Sequence, residues 1–146
     1  MRQIHRSVLV AASPERMFEL INDVERYPEF VPGCAAAQVL ERDADSLRAR
    51  LTVGSGALST SFVTRNRLQA PHSIDMELDE GPLRSLNGKW RLTPVVAGEM
   101  VGCRVDLDLA FETQGGLMGL AMGPAIERLA GSLVDAFVAR ARQAPG

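Results

Sequence analysis

The chain has 146 residues, a formal net charge of −2 at pH 7 and 46% apolar residues, a size that suits one domain over residues 1–146. The near-neutral charge disfavours a protein that binds nucleic acid through a basic surface, so we expect no DNA partner. The two cysteines, Cys34 and Cys103, lie outside any CxxC motif, which favours free thiols in a reducing cytoplasm. No uncharged run reaches the ~20 apolar residues that span a bilayer, and we expect a soluble protein.

Residues 4–11 predict a first β-strand, and the sequence after them has the features of a helix start. Ser13 is a favourable N-cap, Pro14 suits the first helical position and Glu15 adds an acid to the first turn. Apolar residues then recur at helical spacing as far as Ile21, and residues 24–30 predict a second short helix or a turn. Two short helices are therefore expected directly after the first strand.

Apolar and polar residues alternate through residues 34–112, which is the period of a β-strand with one buried face. Leu47, Ala49 and Leu51, for example, alternate with Arg48 and Arg50. The pattern predicts a meander of about six antiparallel strands. Turns are predicted at residues 43–45, 54–56, 70–72, 81–82 and 97–99.

The period becomes helical after residues 115–116 and stays helical to about Arg142. An apolar stripe from Ile126 onwards predicts a long helix that covers one face of the sheet, and Pro124 is expected to kink or restart that helix. The stretch GGLMGLAMGPA, residues 115–125, is a weak helix former because of its glycines. It is open to two interpretations, a buried helix end and a mobile gate over an apolar cavity.

Charged residues follow the outer face of the predicted sheet, where basic and acidic strands are neighbours. Cross-strand pairing would neutralise this face, and it has no aromatic side chains on which bases could stack. We therefore interpret it as a solvated surface and not as a nucleic-acid platform. The residues concerned are Arg48, Arg50, Arg65, Arg67, Lys89 and Arg91 with Asp75, Glu77, Asp106 and Asp108.

Motifs for catalysis or metal binding are missing from the sequence. His5 and His72 have no partner at the spacing of metal ligands, and the carboxylates mostly lie on polar strand faces or in turns. We expect a protein that is not an enzyme, with no catalytic residue, no metal site and no catalytic cofactor.

Four stretches together resemble a known family: YPEFVPGC at 27–34, SFVTRNRL at 61–68, GPLRSLNGKWRLTP at 81–94 and VDAFVARA at 134–141. Across nearly the whole chain they are similar, in the same order, to the START-superfamily (polyketide cyclase/dehydrase-like) branch of the coenzyme Q-binding proteins and the ribosome association toxin RatA. One departure is Leu83, where this branch commonly has phenylalanine, and it retains an apolar side chain.

The resemblance implies an α+β helix-grip fold, in which a curved antiparallel sheet of about seven strands surrounds a long C-terminal helix, with a cavity between them. It implies a non-catalytic lipid-binding protein that holds ubiquinone as a bound ligand and supports respiration. The toxin members imply a different role, binding to the large ribosomal subunit and blocking subunit association. A third role, cyclase or aromatase activity, is disfavoured because no acid–base pair lies at apolar positions.

The ligand hypothesis uses the inner face of the sheet and the ends of the helices. Thr60, Thr64 and Asn66 share the parity of Phe62, so an inward-facing side chain would bond a ligand carbonyl. The segment YPEFVPGC is interpreted as one side of the cavity mouth, opposite residues 115–125, with a plug of the core as the alternative. The predicted ligand-binding residues are Tyr27, Phe30, Val31, Phe62, Asn66, Met76, Leu78, Trp90, Leu92, Val105, Leu117, Leu120 and Met122. The expected location is the cytoplasm, with transient membrane contact at the periphery of the inner membrane.

Overall fold

The computed structural model describes residues 2–54 and 59–143, which contain seven strands, three helices and one 3₁₀ turn. The elements are β1 (Arg2–Val10), α1 (Pro14–Asn22), the 3₁₀ turn (Val24–Arg26), α2 (Tyr27–Phe30), β2 (Cys34–Arg42), β3 (Ser46–Val53), β4 (Thr60–Gln69), β5 (Ser73–Glu80), β6 (Leu83–Ala97), β7 (Met100–Thr113) and α3 (Leu117–Gln143). Their order confirms the α+β prediction: one strand, short helices, six strands and a long helix.

The strands form one antiparallel sheet in the order β1-β7-β6-β5-β4-β3-β2, so β2 to β7 are the predicted meander and β1 joins it beside β7. The two-residue period separates the faces as expected. Trp90 lies opposite Leu107 and both are buried, whereas Lys89 lies opposite Asp108 on the outer face. With α3 over its inner face, the sheet has the helix-grip architecture.

The start of α1 has the predicted cap. The backbone N–H of Arg16 donates to Ser13 Oγ at 3.1 Å, and Pro14 occupies the first helical position. Such a cap stabilises a helix by about 1 kcal/mol. The apolar face of α1 packs against β6, β7 and α3, which places this helix over one part of the inner sheet face.

The long helix α3 does not restart at Pro124, although a kink or restart was expected there. It runs as one helix of 27 residues, about 40 Å long at 1.5 Å per residue. Met122 and Ile126, on either side of the proline, are both buried against the core. This packing offsets the lost backbone hydrogen bond. Within residues 2–54 and 59–143, no helix is long and apolar enough to cross a membrane.

The outer face of the sheet carries the predicted cross-strand ion pairs. Lys89 Nζ lies 3.6 Å from Asp75 Oδ1, and Arg65 Nη2 lies 3.9 Å from Asp79 Oδ2. Arg48 also pairs with Asp79 and with Glu80. Exposed pairs of this kind contribute only about 0–1 kcal/mol each, so their main effect is to neutralise the face.

Candidate ligand cavity

A small internal cavity lies between the inner face of the sheet and the helical elements. The space open to the centre of a water-sized sphere is about 60 Å³. One water needs roughly 10–15 Å³ by that measure, so the cavity accommodates a handful of waters and no large ligand in this conformation. Its wall consists of Val24, Tyr27, Ala49, Leu51, Phe62, Thr64, Asn66, Met76, Leu86, Trp90, Leu107, Leu109, Ile126, Leu129, Ala130 and Leu133.

One stretch of this wall depends on a glycine. Asn66 of β4 pairs with Met76 of β5, and Met76 in turn lies opposite Gly88 of β6. A Cβ atom at Gly88 would lie 2.5 Å from Met76 Cε and 2.9 Å from Leu109 Cδ1. The missing side chain therefore leaves room for these two flexible side chains beside the cavity.

Asn66 is the polar group of the wall that lacks a partner. It is 8% exposed, and its Oδ1 accepts no hydrogen bond from any described residue. A buried polar atom left unpaired costs about 1–3 kcal/mol, which is why such atoms are rare away from functional sites. Because an amide oxygen accepts, a ligand with one hydrogen-bond donor would gain a hydrogen bond here in an otherwise apolar cavity.

Tyr27 contributes its ring and not its hydroxyl to the cavity. The hydroxyl donates to the backbone carbonyl of Ile21. Burial, with smaller effects from Cys34 and Asp23, raises the pKa of Tyr27 far above its ordinary value. The hydroxyl is therefore protonated at neutral pH, and none of the described wall residues is charged.

The ring of Phe137 in α3 packs against aromatic rings of α2 and β6. Its ring centroid lies 5.2 Å from Tyr27, 5.6 Å from Phe30 and 5.6 Å from Trp90, all with edge-to-face geometry. The Arg140 guanidinium carbon lies 5.1 Å from the Phe30 centroid. Each edge-to-face pair is worth about 0.5–1.5 kcal/mol beyond area burial. The apolar character of YPEFVPGC is thus explained by packing against the C-terminal half of α3.

Five of the predicted ligand-binding residues lie on the cavity wall, namely Tyr27, Phe62, Asn66, Met76 and Trp90. For the strand residues among the others, the period of two identifies the buried face but not the part that α1 covers. The others lie elsewhere in the core or at its edge. These are Val31, Leu92, Val105 and Met122, which are buried, and Phe30 and Leu78, which are half-buried.

Leu117 and Leu120 do not reach the cavity. They are 86% and 74% exposed, because on the first turns of α3 their side chains face away from the sheet. Met122 faces the sheet and is buried, although it does not line the cavity. The start of α3 therefore combines a buried side and an exposed apolar side.

The helix contributes wall residues that were not among the predicted ligand-binding residues. Ile126, Leu129, Ala130 and Leu133 all face the cavity from α3. The sequence did indicate that these residues are buried, because they belong to the apolar stripe of the helix. A stripe marks the face that is buried, and only the three-dimensional structure shows where that face leaves a gap.

Neither thiol has the surroundings of a reactive cysteine. Cys34 and Cys103 are both free and buried. Burial is the main cause that raises the pKa of both thiols, that of Cys103 to about 11. In the part of the chain that the structure describes, no group of three or more histidine, cysteine or acidic side chains is placed to hold a metal ion.

Comparison with protein families gives a match along most of the chain. Residues 10–138 match the family described as polyketide cyclase / dehydrase and lipid transport. The aromatase/cyclase Zhui from Streptomyces has a similar structure, with a TM-score of 0.78 over 97% of this chain and 94% of that one. Its sequence is 19% identical, so this likeness concerns the fold alone.

Two relatives represent the two branches that the sequence resembles. A protein of Pseudomonas aeruginosa named ribosome association toxin RatA is 44% identical over 98% of this chain and 97% of its own length. A protein of Xenopus laevis named coenzyme Q-binding protein COQ10 homolog B, mitochondrial, is 29% identical over 73% of this chain and 44% of its own length. The toxin is thus the more similar of the two, and over nearly its full length.

Proposed function

The chain belongs to the polyketide cyclase / dehydrase and lipid transport family, and we propose that it acts as a ribosome-associating growth inhibitor. In this proposal it binds the large ribosomal subunit and blocks association of the subunits. The similarity to the RatA protein of Pseudomonas aeruginosa, nearly end to end, carries the proposal. The distant coenzyme Q-binding relative ranks below it, because it matches this chain over less than half of its own length.

The chemistry of the cavity supports a binding protein over an enzyme. The polar side chains among the described wall residues are those of Tyr27, Thr64 and Asn66, and none of them provides a charged acid or base at neutral pH. Cyclisation of a polyketide would need groups that move protons. The Tyr27 hydroxyl is bonded to the Ile21 carbonyl and no described wall residue is a charged acid or base, which favours a non-catalytic role.

Ribosome profiles test the main proposal. Overproduction of the chain in a bacterial host should lower the fraction of joined ribosomes in a sucrose gradient and raise the fraction of free subunits. The purified protein should also co-sediment with isolated large subunits and not with small ones. Phe137→Asp is the control, because a charge in the aromatic cluster should unfold the chain and abolish both effects. An unchanged profile, with folded protein accumulating, would contradict the proposal.

A second function has its own supporting observation, the unpaired Asn66 Oδ1 in an apolar cavity. We propose that the cavity binds a lipid-like molecule whose polar head carries a hydroxyl, such as the reduced quinol form of ubiquinone, because an amide oxygen needs a hydrogen-bond donor. Small-molecule pockets usually measure about 300–1,000 Å³, far more than the roughly 60 Å³ present. Binding therefore has to include opening of the cavity toward a neighbouring space.

The single tryptophan makes this second function measurable. Trp90 lines the cavity and is the only tryptophan of the chain, so its fluorescence reports on the site alone. A short-chain ubiquinone kept in its reduced quinol form should quench it with saturation, and organic extraction of the purified protein should release a lipid detectable by mass spectrometry. Extraction that yields nothing, together with quenching that does not saturate, would contradict ligand binding.

A further inference from the structure

A second space adjoins the cavity at the surface. This hollow has a volume of about 440 Å³ and opens between α3 and two loops. The loops contribute Pro32, Gly33 and Gly54. The helix contributes Ala125, Arg128, Leu129 and Ser132. Apart from the exposed Arg128, these are small or apolar residues, which suits the passage of an apolar chain.

Leu129 separates the hollow from the cavity. Among the described residues it is the one that lines both spaces, and it is itself buried. Movement of this one side chain would therefore alter both the space of about 60 Å³ inside and the space of about 440 Å³ at the surface. A rotamer change is among the fastest and least costly motions available to a protein.

The two flanks of α3 are held differently. On the β1 side, Arg2 Nη1 lies 3.1 Å from Glu127 Oε1 and Arg6 Nη2 lies 3.5 Å from Asp135 Oδ2. On the hollow side, Ser132 Oγ lies 3.3 Å from the Pro32 carbonyl, to which it donates while also contacting carbonyls of its own helix. The attachment at the hollow itself is thus a shared hydrogen bond, whereas further along α3 Arg140 Nη2 lies 3.6 Å from Glu29 Oε1 of α2.

The loop side of the hollow has a backbone shape that glycine permits. Gly33 and Gly54 have φ angles of +89° and +95°, and the Gly54 N–H donates to the Gly33 carbonyl at 3.1 Å. A Cβ at Gly33 would meet no atom within 4 Å, so the positive φ and not crowding calls for glycine there. The two loops that border the hollow are therefore joined by a hydrogen bond between glycines of positive φ.

We propose that the hollow is the entrance of the cavity, that Leu129 is its gate, and that the ligand is a single-ring amphiphile that enters ring first. A hydroxyl on the ring reaches Asn66, and the apolar chain leaves past Leu129 into the hollow. The orientation follows from Asn66, since an apolar chain end against its Oδ1 would leave that atom unpaired. This inference rests on the proposed ligand binding and adds the route, the gate and the ligand class.

Two matched probes test the orientation. 4-Butylphenol and butylbenzene have the same ring and chain, and differ only in the hydroxyl. Isothermal titration calorimetry should give 4-butylphenol about tenfold higher affinity, the value of one buried hydrogen bond. Asn66→Leu should abolish the difference while butylbenzene still binds. Equal affinity of both probes for the unmodified chain would overturn the ring-first orientation.

A pair of leucine variants tests the gate. Leu129→Ala removes the side chain between the two spaces, whereas Leu133→Ala removes the same atoms from a residue that lines the cavity alone. Stopped-flow fluorescence of Trp90 should show 4-butylphenol associating with Leu129→Ala on the order of tenfold faster. Leu133→Ala should keep the rate of the unmodified chain. Ala125→Phe, which fills the hollow from outside the cavity, should slow association.

The outcomes separate the gate from ligand binding itself. If the unmodified chain binds 4-butylphenol but Leu129→Ala and Ala125→Phe associate at its rate, the entrance lies elsewhere and ligand binding stands. If no variant binds either probe, ligand binding fails and the gate fails with it. Circular dichroism melts identify any variant that does not fold, and Leu129→Met, which keeps the volume, then replaces Leu129→Ala with a smaller expected acceleration.

Discussion

The two ends of α3 are bound to the molecule in opposite ways. The C-terminal half inserts Phe137, which is 0% exposed, among rings of α2 and β6. The N-terminal turns leave Leu117 and Leu120 in solvent and bury Met122 alone of the three. One helix thus combines a fixed anchor with a loosely held start, and the cavity and hollow lie between these ends. The difference indicates that opening should begin from the N-terminal side.

Among the variants that test this comparison, Phe137→Ala should change the free energy of unfolding most. Removing a fully buried ring leaves a cavity in the aromatic cluster, and we expect a loss of about 3–5 kcal/mol in the free energy of unfolding. Urea denaturation measures it. If the loss is below about 1 kcal/mol, the C-terminal half is not the anchor that its packing indicates.

Alkaline pH should lower the stability of the fold progressively. Burial raises the pKa of Cys103 to about 11, from an ordinary value of 9.0, so between these pH values the unfolded chain loses a proton that the folded chain keeps. Stability is therefore fully present below pH 9 and falls as pH rises toward 11. Urea midpoints from pH 8 to 10.5 should fall, and Cys103→Ala should flatten the slope. A slope unaffected by Cys103→Ala would assign the fall to other groups, of which Tyr27 and Cys34 are also raised in pKa.

Asn66→Leu should increase the stability of the fold. It removes the unpaired Oδ1 and adds apolar volume to the cavity wall, so we expect a gain of about 1 kcal/mol in the free energy of unfolding. Thr64→Val is the control, because it alters a neighbouring polar position of the same strand. A loss above about 1 kcal/mol for Asn66→Leu would mean that Asn66 is needed for the fold.

The smallest effect is expected at the loosely held start of α3. Leu120→Ala should leave the free energy of unfolding within about 0.5 kcal/mol, because the side chain is exposed and alanine is a better helix former. Thermal melts compared with Phe137→Ala give the contrast between the two ends directly. A destabilisation of more than about 1 kcal/mol would show that the start is anchored after all.

The fold could be predicted because its signals are local and repeated. Alternation along β3 to β7 marks the inner face strand by strand, and Ser13 with Pro14 marks the start of α1. Pro124 does not restart the helix as one alternative expected, and buried residues on both sides of it pack against the core. Local patterns therefore predicted the elements and their faces, and missed an effect that arises only from packing.

The cavity could be predicted only in part, because it is a gap and not a pattern. Trp90 and Leu92 have the same parity on β6, yet one lines the cavity and the other does not. The difference comes from where α1 and α3 lie over the sheet, which no single strand encodes. The proposed role of Leu129 could not be predicted for the same reason, since its sequence position is like that of every other member of the helical stripe.

The position of α3 after all seven strands has a consequence for synthesis. The inner face of the sheet is covered largely by the 27 residues of α3, which follow the seven strands, and β1 pairs with β7. At roughly 5–20 residues per second, the apolar face of the growing sheet stays uncovered for seconds after its strands have emerged. A nascent chain at this stage exposes a surface that chaperones recognise, and a chain truncated before α3 should be held by them or aggregate.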